Sequence, residues 1–304
     1  MSLVQIVLAT YNGERFIRQQ MDSILNNSFD DFKIEVCDDG STDQTREIIG
    51  EYEKKFPDKV HLHCNKKNLG YTENFLQGIK RTTAPYVMLS DQDDIWMEDK
   101  ISITLAHMKK TEEKGKPVMV FSDAVLYNSE TEEPMGSFQK NSHFDTSKVD
   151  ISHLLIENKC TGCTLMVNGN IRPYLEEIPE EARVHDWWMA LICAAMGKIS
   201  FLDKETLYYR QHSRNMIGGT GFGSYFANRL RSLREQRVRL RETFRQGKAF
   251  YTIFEEQFSP GIKEMCRNFA ALPEMGFFRR RYMCIKNGYL KSGLIRNLAL
   301  LLLL

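Results

Sequence analysis

Residues 84–96 read APYVMLSDQDDIW, an unbroken apolar run of strand length that ends in three carboxylates. A run apolar at successive positions, not alternate ones, predicts a strand covered on both faces, as in parallel sheets flanked by helices. Asp91, Asp93 and Asp94 crowd within four positions. Their charges repel unless solvent or a cation neutralises them, and hard divalent ions prefer such oxygen ligands. The competing reading is an acidic turn that caps a helix starting near Trp96, since Asp is a favoured N-cap. The strand-end position favours the metal.

Upstream, VQIVLAT (4–10), KIEVCDD (33–39) and VHLHCN (60–65) are three further strand candidates. Between them, Glu14 to Asn26 places Phe16, Ile17, Met21, Ile24 and Leu25 on one helical side. Asp43 to Phe56 and YTENFLQGIKRT (71–82) repeat the helical pattern. Strands alternating with helices predict parallel βαβ units, in which ligands sit beyond the carboxyl ends of the strands. Those ends carry Thr10-Tyr11-Asn12, Asp38-Asp39-Gly40 and Asp91 to Asp94. The polar residues therefore gather on one edge of one sheet.

Downstream, PVMVFSDAVLYN (117–128) reads as two short strand pieces, followed by a polar loop over 128–148. CTGCTLMVN (160–168) and KISFLDKETLYYRQH (198–212) are strand candidates that flank a helix starting near His185. IGGTGFGS (217–224) is Gly-rich and marks a linker. It divides a catalytic domain over 1–216 from a helical extension over 225–304. In the extension Phe226, Leu230, Leu233, Leu240 and Phe244 follow helical spacing among many arginines.

Charge divides at the same place. Residues 1–224 carry 25 Lys and Arg against 34 Asp and Glu, a net of −9, while 225–304 carry 16 against 6, a net of +10. A single-sign segment of this kind meets an oppositely charged partner. The expected partner is an anionic membrane surface, and no nucleic acid. The alternatives are that the apolar residues pack on the catalytic domain and the arginines are solvated, or that the C-terminal helices form a homo-oligomer. The last apolar run, LALLLLL, is shorter than the roughly 20 residues that cross a bilayer. Seven cysteines form an odd set whose one close pair is Cys160-x-x-Cys163. They predict neither a disulfide scaffold nor a four-ligand zinc site, and they fit a cytoplasmic protein. The opening MSLVQIVLATYNG lacks a basic lead-in and reads as a buried first strand, not a signal peptide.

No strand end carries GxGxxG or GxxxxGK[ST], which sets aside nicotinamide dehydrogenases and P-loop kinases. Asp38 to Asp43 ends a strand and opens a helix, where a carboxylate can accept a base N–H or a ribose hydroxyl, or simply cap the helix. His185-Asp186-Trp187-Trp188 sets an acid beside two large rings. An acid so placed can have a raised pKa and act as a general base, and Trp faces can stack on sugars; the plainer reading is a helix cap before core tryptophans. His212 is either a metal ligand or a structural histidine.

Taken in order, ATYNG, CDDGSTDQT, NLGYTENF, SDQDD, HDWW and YRQH resemble glycosyltransferase family 2, the inverting enzymes of the GT-A fold. The resemblance spans about residues 3–215. SDQDDIW, HDWW and RQH resemble most the bacterial rhamnosyltransferases of that family.

The resemblance implies an α/β GT-A domain, Rossmann-like, with a C-terminal helical extension. It implies that Thr10, Tyr11 and Asp39 hold the nucleotide base, that Asn68 and Gly70 line the same pocket, and that Asp91 contacts ribose. Asp93 would bind Mn²⁺ or Mg²⁺, with His212 as a second protein contact, and Asp186 would be the catalytic base. Trp187 and Trp188 are expected against the acceptor or sugar. The implied donor is dTDP-L-rhamnose, with a UDP-sugar as the alternative. The implied acceptor is a saccharide or lipid-linked saccharide, met by a cytoplasmic enzyme on the inner face of the cell membrane. The Gln-x-x-Arg-Trp motif of processive members is absent, which implies addition of one sugar per visit. Two rivals remain: a metal-dependent nucleotidyltransferase, and a non-catalytic protein that binds sugar nucleotides or lipids.

Overall fold

The computed structural model describes residues 2–211 and 233–304. His212, the linker 217–224, Phe226 and Leu230 lie outside the described residues.

Four parallel strands form the first half of the sheet in the order β3-β2-β1-β4. They are β1 (Val4–Thr10), β2 (Phe32–Asp38), β3 (Val60–Cys64) and β4 (Tyr86–Ser90). Helices α1 (Ile17–Leu25), α2 (Thr45–Lys55) and α3 (Tyr71–Arg81) connect them. Val4, Ile6, Val7 and Leu8 of β1 are fully buried, as a central strand covered on both faces must be. Thr10 pairs with Asp38, and Leu8 with Ser90. This register brings Tyr11, Asp39 and Asp91 out on one edge.

The second half is mixed. Beyond β4 lie β8 (Leu165–Asn168), β6 (Val118–Asn128), β9 (Lys198–Gln211) and β5 (Ile95–Trp96), and β7 (Pro134–Ser137) pairs with β6. Only the β6–β9 pair is parallel here. Three expectations change. The two strand pieces in 117–128 are one strand whose register slips around Asp123, where the carboxylate accepts from Ala124 N and Gln139 N. The polar loop over 128–148 contains β7 and a short helix, α5 (Phe138–Ser142). Trp96 belongs to β5, and the next helix, α4 (Lys100–Thr111), starts four residues later, so the β4 acids do not cap it. Helices α6 (Ile151–Leu154) and α7 (His185–Met196) complete this part.

The C-terminal helices α8 (Leu233–Phe254), α9 (Pro260–Ala270), α10 (Phe277–Lys286) and α11 (Leu294–Leu303) pack against the sheet domain. One buried cluster runs from Val7 and Leu89 through Leu155 and Trp188 to Phe250, Phe269 and Leu300. Leu240 and Phe244 are buried in it, so for these two residues packing on the catalytic domain, and not membrane contact, is the arrangement found. Burial against a ready apolar face removes the same area from water as a bilayer would. Gly247 lets α8 and α9 close, because a Cβ there would stand 2.4 Å from the Phe269 ring. The extension is thus part of the main core, and no described helix is long and apolar enough to cross a membrane.

Candidate active site

Two aspartates end β2 and meet different partners. Asp38 is fully buried, accepting from Thr10 Oγ1 at 3.1 Å, Ser41 N at 3.0 Å, Arg46 Nε at 2.6 Å and the Ser41 hydroxyl. Burial alone would raise its pKa, but these donors and the Arg46 charge hold it below the usual carboxylate range. Asp39 turns the other way. Its Oδ1 accepts from Asn65 Nδ2 and Leu69 N, and its Oδ2 accepts from Gly70 N at 2.8 Å. Gly70 can aim that N–H because its φ is +81, a conformation that costs glycine nothing. Asn68 closes the loop by donating to the Asp39 carbonyl at 3.0 Å. Asp39, Asn68 and Gly70 therefore meet as one pocket wall, and Asp39 Oδ2 keeps a lone pair for a further donor. Thr10 is nearly buried and spends its hydroxyl on Asp38, whereas Tyr11, 50% exposed, offers a free ring face.

The end of β4 has far fewer donors. Asp94 is buried; Arg210 N reaches its Oδ1 at 3.2 Å, and among the described residues its Oδ2 has no N–H or O–H partner, only the Cys163 thiol coming near the carboxylate. Burial, then the charges of Asp93 and Asp91, raise its pKa well above the ordinary value. Asp91, partly exposed, is pushed up to about 7 by desolvation, by Asp93 and by Asp186. Oxygens of Asp91 and Asp94 and the Cys163 sulfur lie within 4.8 Å of one another. Burial keeps the Cys163 thiol protonated, so the useful ligands for a hard cation are the carboxylates. Crowded acids with an orphaned oxygen fit a divalent ion, which would relieve the repulsion.

Asp186 faces this edge from the first turn of α7. Its Oδ1 accepts from Asn158 Nδ2 at 2.9 Å and Trp187 N at 2.6 Å, and its Oδ2 from Gly162 N at 3.0 Å. Burial raises its pKa to about 7 against the pull of these donors. Gly162 can approach because it has no side chain: a Cβ would stand 2.7 Å from His185 Nε2. His185 is buried, stacked on Phe75 at 4.1 Å, and held neutral by burial, with a pKa near 3. A cleft of about 420 Å³ between the start of α3 and residues 178–183 is lined by Gly70, Tyr71, Glu73 and Arg183. Tyr71 stands within electrostatic reach of Asp186, so this cleft adjoins the acid.

The tryptophans are not in the cleft. Trp187 is 6% exposed and donates to the Leu154 carbonyl at 2.6 Å; Trp188 is fully buried against Phe250 and Phe254. Their expected sugar contact is corrected: both are core residues, and Asp186 is not a helix cap, since it lies inside the first turn of a helix whose N-cap is Val184. Other site residues carried no sequence signal. Asn158 and Gly162 lie 28 and 24 positions before Asp186. Lys100, buried beside Trp96 and bonded to Thr206 at 3.0 Å, has its pKa pulled down to about 8 by burial. Arg210 was visible only as part of YRQH; its guanidinium donates to the Asp93 carbonyl at 2.7 Å and ties β9 to the acids.

The profile of "Glycosyl transferase family 2" matches residues 5–166, which holds every strand-end acid described above. This chain belongs to glycosyl transferase family 2. Similar to this family 2 chain is the "dTDP-rhamnosyl transferase RfbG" of Shigella flexneri, 27% identical over 223 residues, which are 69% of this chain and 73% of the relative. An uncharacterized glycosyltransferase of Nostoc is 25% identical over 70% of this chain and 66% of its own length. Among solved structures, S. aureus TarS 1-349 in complex with UDP-GlcNAc superposes with a TM-score of 0.56 at 15% identity, over 95% of this chain and 89% of TarS 1-349. The mannosyltransferase PcManGT from Pyrobaculum calidifontis, in complex with GDP-Man and Mn²⁺, gives 0.55 at 14% identity, over 94% and 73%. At these identities the structural matches establish the GT-A-like fold of this glycosyltransferase, and nothing finer.

Proposed function

We propose that the protein transfers L-rhamnose from dTDP-L-rhamnose, with inversion, to a hydroxyl of a saccharide or lipid-linked saccharide in bacterial surface polysaccharide synthesis. The observation that carries the chemistry is Asp186: buried, gripped at both oxygens, and with a pKa raised to about 7, where a general base works best near neutrality. The resemblance to RfbG supports the rhamnosyl donor.

In the reaction, Asp186 takes the proton of the acceptor hydroxyl. That oxygen attacks the anomeric carbon from the side opposite the diphosphate, the bond from the sugar to the diphosphate breaks, and the nucleoside diphosphate leaves. Tyr11 would stack on the base, Asp39 would accept its N–H, and Asn68 and Gly70 would keep that pocket in shape. Asp91 would meet the ribose. Asp93, with His212, would hold Mn²⁺ or Mg²⁺, with the crowded Asp91 and Asp94 carboxylates adding negative charge that favours a cation at this strand end, and the ion would neutralise charge on the leaving diphosphate. Buried, preorganised N–H groups around Asp186 cost no rearrangement as charge moves.

A panel of nucleotide sugars tests the donor by thermal protection, since stabilisation grows with ligand concentration over Kd. dTDP-L-rhamnose with Mn²⁺ should raise the melting temperature more than UDP-glucose at equal concentration. Greater protection by the UDP-sugar would reassign the donor. Release of pyrophosphate from a nucleoside triphosphate would replace the reaction class.

A further inference from the structure

The longest run of exposed apolar side chains lies far along the sequence from every site residue. Phe277, Phe278, Tyr282 and Ile285 of α10, and Leu294, Ile295, Leu298 and Leu302 of α11, are each 54–84% exposed. On α10, Phe278, Tyr282 and Ile285 recur at helical spacing and so form one stripe. Arg279 and Lys286, both exposed, flank that stripe on one side, and Arg281, partly exposed against the Phe277 ring, flanks it on the other. On α11 the four apolar residues fall within one face, while the opposite side buries Leu300. Arg280 joins the two helices by donating to the Leu304 carbonyl at 2.9 Å.

Residues 275–304 contain six Lys and Arg and no Asp or Glu. The acid nearest in sequence, Glu274, is 3.6 Å from Lys248, and Glu157, which reaches the segment from the catalytic body, is engaged by Arg296. We infer that the outer faces of α10 and α11 form a docking surface for an anionic lipid bilayer, with the aromatic and aliphatic side chains entering the headgroup boundary and Arg279, Arg281 and Lys286 meeting lipid phosphates. The charge pattern singles out this occupant. A two-fold pair of this chain would set the same patch on itself, bringing basic residues together with no acid between them. Nucleic acid would satisfy the arginines but leave the apolar stripe without a partner. Because Leu240 and Phe244 of α8 are buried, the surface is α10 and α11 and not the arginine-rich helix before them.

The surface is also firmly tied to the catalytic body. Glu157 accepts from Ser292 N and Oγ at 2.6 Å and from Arg296 at 3.0 Å, and the next residue, Asn158, holds Asp186.

Co-sedimentation of the full chain with vesicles tests the surface without reference to transfer, so its failure would leave the transferase reading intact. Wild type should pellet with vesicles of equal phosphatidylglycerol and phosphatidylcholine at low salt, and far less with pure phosphatidylcholine. Phe278→Ser/Ile295→Ser/Leu302→Ser, and separately Arg279→Glu/Lys286→Glu, should each reduce the pelleted fraction at least tenfold. All of these positions are exposed, so unchanged melting temperatures will show that the variants fold. Equal pelleting with both vesicle types, unchanged pelleting of either variant, or none by wild type would overturn the inference. So would a concentration-dependent dimer that the serine variant abolishes in the absence of lipid.

Discussion

The ends of β2 and β4 carry the same chemical groups at the same level of one sheet, yet their states are opposite. Asp38 is surrounded by donors and an arginine, and its pKa is driven down; Asp91 and Asp94 face each other, Asp93 and Asp186, and theirs are driven up. The difference lies in what the chain does next. After β2 it turns through Gly40 and Ser41, whose N–H groups donate back to the Asp38 carboxylate, and enters α2, which sends Arg46 back to it. After β4 it leaves through β5, and among the described residues Arg210 N and the Cys163 thiol are the donors that reach the Asp94 side chain. One strand end is complete as folded. The other holds two acids, Asp91 and Asp94, whose pKa values are raised by burial and by neighbouring acids, the condition expected of a functional site.

Removing an acid from the β4 end should have the largest effect. Asp93→Ala is expected to abolish Mn²⁺-dependent binding of the nucleoside diphosphate, because the cation loses a carboxylate ligand. Calorimetry with and without EDTA measures this. Wild-type binding that EDTA leaves unchanged would mean that the acids of β4 are structural, and the contrast between strand ends would lose its functional meaning.

Asp186 stands between the two extremes, since it has three donors and a raised pKa. Asp186→Asn should lower transfer by about 10²–10⁴-fold while donor affinity stays within a few-fold, because the amide cannot take a proton. In wild type the rate should fall as pH drops through about 7, where Asp186 becomes protonated. Product formation at saturating donor is the readout, and retention of most activity would leave Asp186 as a structural tie between α7, Asn158 and Gly162.

A smaller change should shift that pH limb. The Asn158 amide stabilises the ionised form of Asp186, so Asn158→Ala should raise the pKa further and move the acid limb upward by about one unit, with roughly fivefold less activity at pH 7. A fall in rate at every pH with no movement of the limb would mean that Asn158 only supports the fold.

How far the sequence could be read follows from how local each signal is. The four parallel strands and three helices of the first half were legible because hydrophobic period and strand-end polarity are properties of neighbouring residues. Asp39, Asn68 and Gly70 could be grouped from their motifs, and they meet in one pocket wall. Trp187 and Trp188 were misplaced because a ring beside an acid looks alike whether it faces a cleft or a core. What decided it was α8, whose Phe250 and Phe254 arrive some sixty residues later. The same packing buried Leu240 and Phe244. Amphipathic spacing shows that a face will be covered, but not by what. Asn158 and Gly162 had no pattern to find, since their role is set by where α7 begins in space.

The smallest effect should come from the finished end. Arg46→Ala removes the charged partner of a fully buried carboxylate but leaves Ser41, Gly40 and Thr10 donating to it. Because Arg46 is itself 39% exposed, solvent screens part of the ion pair, and the loss should be about 1–3 kcal/mol of stability, the cost of weakening a buried hydrogen-bonded charge. The sign with pH is fixed: Asp38 has a depressed folded-state pKa, so its contribution is present above the unfolded value near 3.9 and disappears as pH falls through the folded one. Urea unfolding of wild type and variant at pH 7 and at pH 3 measures both. The gap between them should be full at pH 7 and smaller at pH 3, with transfer by the folded variant close to wild type at neutral pH. A variant of unchanged stability that has lost transfer would place Arg46 and Asp38 in the chemistry and dissolve the distinction between the two strand ends.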